Sequence, residues 1–316
     1  MAWYIVRRTG LGAVSLALAS VVVFALLRLL PGDVATTIGG DEATPEQLAA
    51  LRAELGLDRP LPVQYASWIG GVSNGDFGQS QLDGSTVSSE LARKLEVTAP
   101  LTAGAIMVAL AVAVPLGTWA ATRRGTAAGG ALNALSQLGI AIPSLWSALL
   151  LILVFAVTLG WLPAQGFPVD GWANPGEAFR SLVLPWLALG LTEGAVLLRF
   201  VRSAVLGVLD SDFLRTARAK GMTRNRALVR HGFRNAALPV VSILGLQLAA
   251  LLVGAVVVEQ VFTLPGVGSM LITDIGNRDL IKVQGELLIL VATVLVIGLV
   301  VDIAHRLIDP RLRHTV

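Results

Sequence analysis

Long apolar runs alternate with short polar connectors along this chain of 316 residues. A helix of about 20 apolar residues crosses the ~30 Å hydrocarbon core of a bilayer. Six runs meet that length, at about 10–30, 98–122, 131–160, 182–204, 237–262 and 285–307. The third is longer than a straight crossing needs, and Pro143 with Ser144 marks the expected bend. Within the third and fifth runs, Asn133, Ser136, Gln137, Ser144, Ser147, Ser242 and Gln247 interrupt the apolar pattern. They read either as lining of a pathway or as polar contacts between helices. Asn133, Gln137 and Ser144 fall at helical spacing and are expected to share one stripe.

The connectors differ from one another. The first, about 31–97, is acidic, with Asp41, Glu42, Glu46, Glu54, Asp58, Asp76 and Asp83. Within it, TPEQLAALRAELG predicts a short helix: Thr44 as N-cap, Pro45 at the first position, Gln47 closing a capping box and Gly56 as the stop. Leu48, Leu51 and Leu55 share one face of it. A second amphipathic piece, VQYASWIGG, carries Trp68, a residue suited to a membrane interface. The pair reads as surface helices or as a platform for an outside partner. Basic residues gather instead at Arg7, Arg8, Arg123, Arg124, Arg306, Arg311, Arg313 and in one central stretch. Lys and Arg near span ends mark the cytoplasmic side, so both termini are expected inside.

Composition sharpens this. Only 14% of residues are charged and 54% are hydrophobic, against about a quarter charged in soluble domains. The mean hydropathy is +0.73. The apolar run at the N-terminus continues past Ala17–Ala19 to Leu30, too long for the core of a signal peptide, so it is read as a retained first span. With no cysteine, disulfides, thiolate metal sites and a catalytic thiol are excluded. His231, His305 and His314 are too scattered for a metal cluster.

Candidate chemistry is sparse. A P-loop lysine follows Gly and precedes Ser or Thr, and Lys94, Lys220 and Lys282 all lack those neighbours. The chain therefore carries no such ATP site. GVSNG at 71–75 matches Gly-x-Ser-x-Gly, but Asn74-Gly75-Asp76 reads as a turn and the histidines fall on the opposite, cytoplasmic side from Ser73. No enzyme is expected. Glu193, Arg199, Glu259 and Asp302 lie in or at the ends of spans and read as packing or interfacial groups. A proton-driven carrier, the reading from a different class, would want several carboxylates at mid-depth.

The densest charge lies between the fourth and fifth runs, where eight Lys or Arg fall between Arg202 and Arg234. In SDFLRTARAKG, Phe213, Leu214 and Ala217 form one expected face of a short helix, edged by Arg215 and Arg218 and stopped at Gly221. TRNRALVRHGF follows, and Pro239 is placed in the opening turn of the fifth span. The stretch reads as a polybasic surface helix on anionic lipid or as a docking element for a cytoplasmic protein.

RTARAKGM followed by VRHGFRNAALPVV resembles the cytoplasmic motif of ABC importer permeases of the dipeptide and oligopeptide subfamily. So do LLRLLPGD at 26–33, ATPEQLAALRAELGLDRPLPVQY at 43–65, and VVVEQVFTLPGVGSM at 256–270 with NRD at 277–279. Where the broader motif opens Glu-Ala-Ala, this chain has Arg215, Thr216 and Ala217, a subfamily trait, and Gly221 keeps its place. The resemblance implies an all-α membrane fold with six spans of the type I importer permease kind. It implies a first span with its outer loop over 1–97, a five-helix permease core over 98–308 with a coupling loop at 205–236, and a cytoplasmic tail over 309–316. Phe213, Leu214, Arg215, Thr216, Ala217, Arg218, Ala219, Lys220, Gly221 and Met222 would form the coupling helix that contacts an ATPase.

The partners implied are a second homologous permease, two ATPase subunits holding ATP and Mg, and an extracytoplasmic substrate-binding protein. The site is a bacterial inner membrane. The cargo is a di- or oligopeptide, with nickel complexes or glutathione as alternatives. Asn133, Gln137, Ser144, Ser242 and Gln247 are the candidates for pathway lining.

Overall fold

Every long apolar run becomes helix, because a segment that leaves water must satisfy its backbone N–H and C=O groups internally. The computed structural model describes residues 2–29, 34–40, 43–54, 56–80, 82 and 84–308. Leu30 with residues 31–33, Asp41, Glu42, Leu55, Asp83 and the tail 309–316, with Arg311, Arg313 and His314, lie outside the described residues. Among the described residues the one strand-like pairing is an isolated bridge between Gln79 and Thr86. The helices in chain order are α1 (Ala2–Leu29), α2 (Val34–Gly39), α3 (Pro45–Glu54), α4 (Leu61–Ser73), α5 (Val87–Thr122), α6 (Ala127–Ala141) and α7 (Ser144–Leu151). Then come α8 (Pro175–Leu209), α9 (Asp212–Ala219), α10 (Arg224–Ala227), α11 (Phe233–Val261), α12 (Val267–Gly276) and α13 (Leu280–Ile308).

Among the described residues, five helices are long and apolar enough to cross a membrane singly: α1, α5, α8, the run from α10 through α11, and α13. The third apolar run instead breaks into two helices, Ala127–Ala141 and Ser144–Thr158, inclined by 99°. Counted as one broken span, they bring the total to six. The break falls at Pro143, as the sequence predicts, but it is sharper than a bend. Pro143 is extended (φ −61°, ψ 146°), and so is Ile142 before it (φ −87°, ψ 116°), the conformation that a following proline imposes.

The long helices also begin earlier than their apolar windows, most clearly α1 at Ala2, α5 at Val87 and α8 at Pro175. Hydropathy marks only the length that lipid can cover, whereas polar turns continue the same hydrogen-bond ladder. Pro239 corrects a local expectation. It lies inside α11, not in its opening turn, because the helix starts at Phe233 and runs back to Arg224 through a π-helical turn at Leu228–Gly232.

The described residues fall into two compact units. The first comprises 99–264 and 297–308. Its core is apolar: Leu197, Leu198, Val201, Val205 and Val208 of α8 meet Ala113 and Ala121 of α5, with Leu228 and Ala236. Small residues set the spacing of α5 and α8. A Cβ on Gly190 would lie 2.6 Å from the Val108 Cβ and 2.7 Å from the Ala105 carbonyl oxygen. On Gly117 it would lie 2.9 Å from the Leu198 carbonyl oxygen. In lipid, helices associate through such close van der Waals packing and a few hydrogen bonds. One of those bonds runs from Trp186 Nε1 to the Pro100 carbonyl at 3.0 Å.

The second unit comprises 2–98 and 265–296. The predicted capping box of α3 forms, with the Thr44 N–H on Gln47 Oε1 at 2.9 Å and the Gln47 N–H on Thr44 Oγ1 at 3.3 Å. Gly56 ends the segment at φ +65°, and the N–H groups of Gly56 and Leu57 return to the Ala53 and Arg52 carbonyls at 3.2 and 2.8 Å, a Schellman closure. Trp68 packs inward, its ring 6.3 Å from Phe24 and 6.1 Å from Tyr65, while the Tyr65 hydroxyl meets Ser20 Oγ at 2.8 Å. Ser73 donates its hydroxyl to the Gly70 carbonyl at 2.7 Å, so it finishes a helix and does not open a nucleophile elbow.

A buried polar knot joins the start of α5 to α12 and α13. Lys282 Nζ lies 2.7 Å from Glu90 and 3.9 Å from Asp274, and Ser80 donates to Asp279 at 2.6 Å. Lys282 and Asp279 are almost wholly buried, and a charge held there is tolerable only against opposite charge or hydrogen bonds.

Candidate functional site: the basic loop and its anchorage

Between α8 and α11 the chain makes α9, a tight turn, and the return through α10. Leu214 and Ala217 are buried at 1% and 8% exposure and pack with Ala227, Leu209 and Met222. This patch is the underside of α9. Phe213 stands apart from it, 42% exposed, which corrects the expectation that it shares the face of Leu214 and Ala217. The helix is short enough that the return segment covers only the stripe through Leu214 and Ala217, and Phe213 is left at the rim. Arg215, Thr216, Arg218, Ala219 and Lys220 are all exposed. Arg215 lies 3.3 Å from Asp212 one turn earlier, and Thr216 Oγ1 donates to the Asp212 carbonyl at 2.9 Å.

The turn is set by Gly221, at φ +87°. Its N–H bonds the Arg218 carbonyl at 2.9 Å, and the Met222 N–H reaches the Ala217 carbonyl at 3.3 Å. Both bonds of a Schellman motif are present, and Met222 supplies the apolar contact that accompanies it. A Cβ at Gly221 would meet nothing within 4 Å, so backbone conformation alone calls for glycine there. The return path then lies against the end of α8, where a Cβ on Gly232 would come 2.7 Å from Val208.

Sequence reasoning missed how this loop is anchored. Arg124, in the hairpin between α5 and α6, makes a two-pronged pair with Asp210, its Nη1 and Nη2 lying 2.6 and 2.7 Å from Oδ2 and Oδ1. Asp210 caps α8 and stands one residue before Ser211, the N-cap of α9. The hydrogen bond from Arg124 holds the Asp210 carboxyl below the usual carboxylate range. On the other arm, Arg224 Nη1 donates to the Thr122 carbonyl at 3.1 Å, at the last turn of α5. The hairpin itself is fixed by Thr126, whose hydroxyl accepts from the Gly129 N–H at 3.2 Å. The pairing of Arg124 with Asp210 spans 86 residues, and no local pattern announces it.

The candidate lining residues do not form one array. Asn133 and Gln137 lie on α6, whereas Ser144 opens α7 beyond the 99° break. The expected common stripe of the three is therefore corrected: helical spacing predicts a shared face only within a continuous helix. Ser136 is buried and donates to the Asn133 carbonyl at 2.9 Å. Ser242 donates to the Leu238 carbonyl at 3.2 Å and lies 3.0 Å from His305 Nε2. Gln247 Nε2 donates to Glu193, so two groups read separately from the sequence are partners. Around them Ile106, Ala109, Leu197, Leu244 and Leu251 leave a gap of only about 10 Å³.

Residues 113–314 match the family model described as binding-protein-dependent transport system inner membrane component, and residues 1–88 match the model of its N-terminal part. A peptide transport system permease protein of Brucella abortus is 38% identical over 310 residues, 98% of each chain. A peptide ABC transporter permease protein of Sinorhizobium fredii is 37% identical over 99% of this chain and 100% of its own. A glutathione transport system permease protein of Salmonella choleraesuis is 38% identical over 98% of this chain and 99% of its own.

Proposed function

The chain belongs to the binding-protein-dependent transport system inner membrane components, and from that premise we propose that it is the membrane-spanning subunit of an ATP-driven importer of di- or oligopeptides. Multi-pass insertion in the inner membrane follows from the family and from the apolar helices. The peptide assignment rests on relatives that bear that name over their full length. One observation carries the mechanism: α9 buries Leu214 and Ala217 against its own loop and turns Phe213, Arg215 and Arg218 outward. A helix seated in this way is a rigid lever with a free upper face.

In the proposed assembly this chain pairs with a second permease, and both termini and α9 face the cytoplasm. Two ATPase subunits bind there and carry the ATP and Mg. Residues 213–222 are the coupling helix. Closure of the ATPase pair displaces it and biases the permease core of 98–308 between inward- and outward-facing states, a two-state shift driven by differential nucleotide binding. Outside, an extracytoplasmic binding protein delivers the cargo against the loop that carries α3 and α4. Asn133, Gln137, Ser144, Ser242 and Gln247 remain proposed contributors to the pathway, now from separate helices.

The glutathione relative favours a second reading of cargo, since glutathione is itself a modified tripeptide. The complex reconstituted with its binding protein separates the two. Dipeptides and tripeptides are expected to stimulate ATP hydrolysis and accumulate in vesicles. Stimulation by glutathione alone would replace the peptide assignment.

A further inference from the structure

We infer that Arg124 is a positioning residue for energy coupling: through Asp210 it ties the root of the coupling helix to the second and third spans. The inference rests on the function proposed above. Covalently, α9 is attached only to α8, through Asp210 and Ser211, and to α11, through the return loop. A displacement of α9 would therefore reach α5 and α6 only through packing. The two-pronged Arg124–Asp210 pair closes that gap, because Arg124 sits in the hairpin that ends α5 and precedes α6. A planar guanidinium gripping both carboxylate oxygens fixes orientation as well as distance, which a single-point contact does not. Arg224 on the Thr122 carbonyl makes a second tie to the same turn of α5. The coupling helix is thus held at both ends against one point, the inner corner of α5.

This pair is not placed to hold the fold together. The Arg124 and Asp210 side chains are 50% and 55% exposed, and exposed ion pairs add little net stability. Its value is geometric. That distinction makes the inference separable from a structural role.

The test uses the whole complex in proteoliposomes, with both ATPases, the second permease and the binding protein, and reads peptide delivered per ATP hydrolysed. Arg124→Ala and Asp210→Ala are each expected to lower that ratio by about threefold or more, while melting temperature and the yield of bound ATPase stay at the wild-type level. Because each acts through the other, the double variant should lose no more than either single one. Arg124→Lys, which keeps the charge but not the two-pronged grip, should fall between. A wild-type ratio in Arg124→Ala would overturn the inference, and so would additive losses in the double variant. If the wild-type complex itself hydrolyses ATP without moving peptide, the functional reading falls first and takes this inference with it.

Discussion

Gly221→Pro is expected to abolish transport while the chain still inserts at normal abundance. Proline locks φ near −65°, whereas residue 221 holds φ +87°. The substitution also removes the N–H that bonds the Arg218 carbonyl at 2.9 Å. With the turn reversed, Met222 can no longer cover Leu214 and Ala217, and α9 loses both its stop and its seat. The spans themselves lie outside the turn, so insertion is spared. Gly221→Ala is the graded companion. Nothing stands within 4 Å of the new Cβ, so only the left-handed backbone is penalised, by about 1–2 kcal/mol. That variant should keep a reduced rate. Uptake of labelled dipeptide, normalised to membrane-inserted protein, checks both, and normal uptake by the proline variant would remove the lever assignment from α9.

Gly190→Leu should prevent the folded chain from accumulating. At Gly190 the obstacle includes backbone: the Ala105 carbonyl oxygen stands 2.7 Å from a new Cβ, with the Val108 Cβ at 2.6 Å. A flexible side chain could turn away, but these atoms belong to the body of α5. Either α5 and α8 separate or the helix shifts along its neighbour, and the cluster around Leu197, Val201 and Ala113 opens with it. Overpacking costs about 1–3 kcal/mol for modest insertions, and four added carbons against backbone exceed that case. Gly190→Ala should express at a lower melting temperature, whereas Gly190→Leu should yield little monodisperse protein after detergent extraction. Equal melting temperatures for glycine and leucine at 190 would show that α5 and α8 do not meet as described.

What the sequence made legible has a common physical character. Thr44 with Gln47, Gly56, Pro143 and Gly221 each act on backbone within four residues of themselves, and each does in the structure what its local chemistry demands. Apolar length likewise announces a span, because lipid imposes one solution on any chain of that length. The errors lie where two segments meet. Helical spacing aligns Ser144 with Asn133 and Gln137 only along an unbroken helix, and the helix breaks at Pro143. Helical spacing puts Phe213 on one face with Leu214 and Ala217, but which side of so short a helix is covered depends on where the return loop lies. Glu193 and Gln247, like Arg124 and Asp210, are ordinary residues in sequence, and only tertiary approach makes them pairs.

On the function proposed above, this chain is one part of an ATP-driven machine and lends its basic loop to a partner subunit that carries a phosphate-binding loop. The most direct measurement is to tag the chain in its native membranes, solubilise gently, and identify what stays bound and in what ratio. A stoichiometric complex with a second six-span permease and a pair of ATPase subunits is the predicted result. A homo-oligomer that is reproducibly without ATPase and yet moves peptide after reconstitution would contradict it, and would place the driving force within the spans themselves.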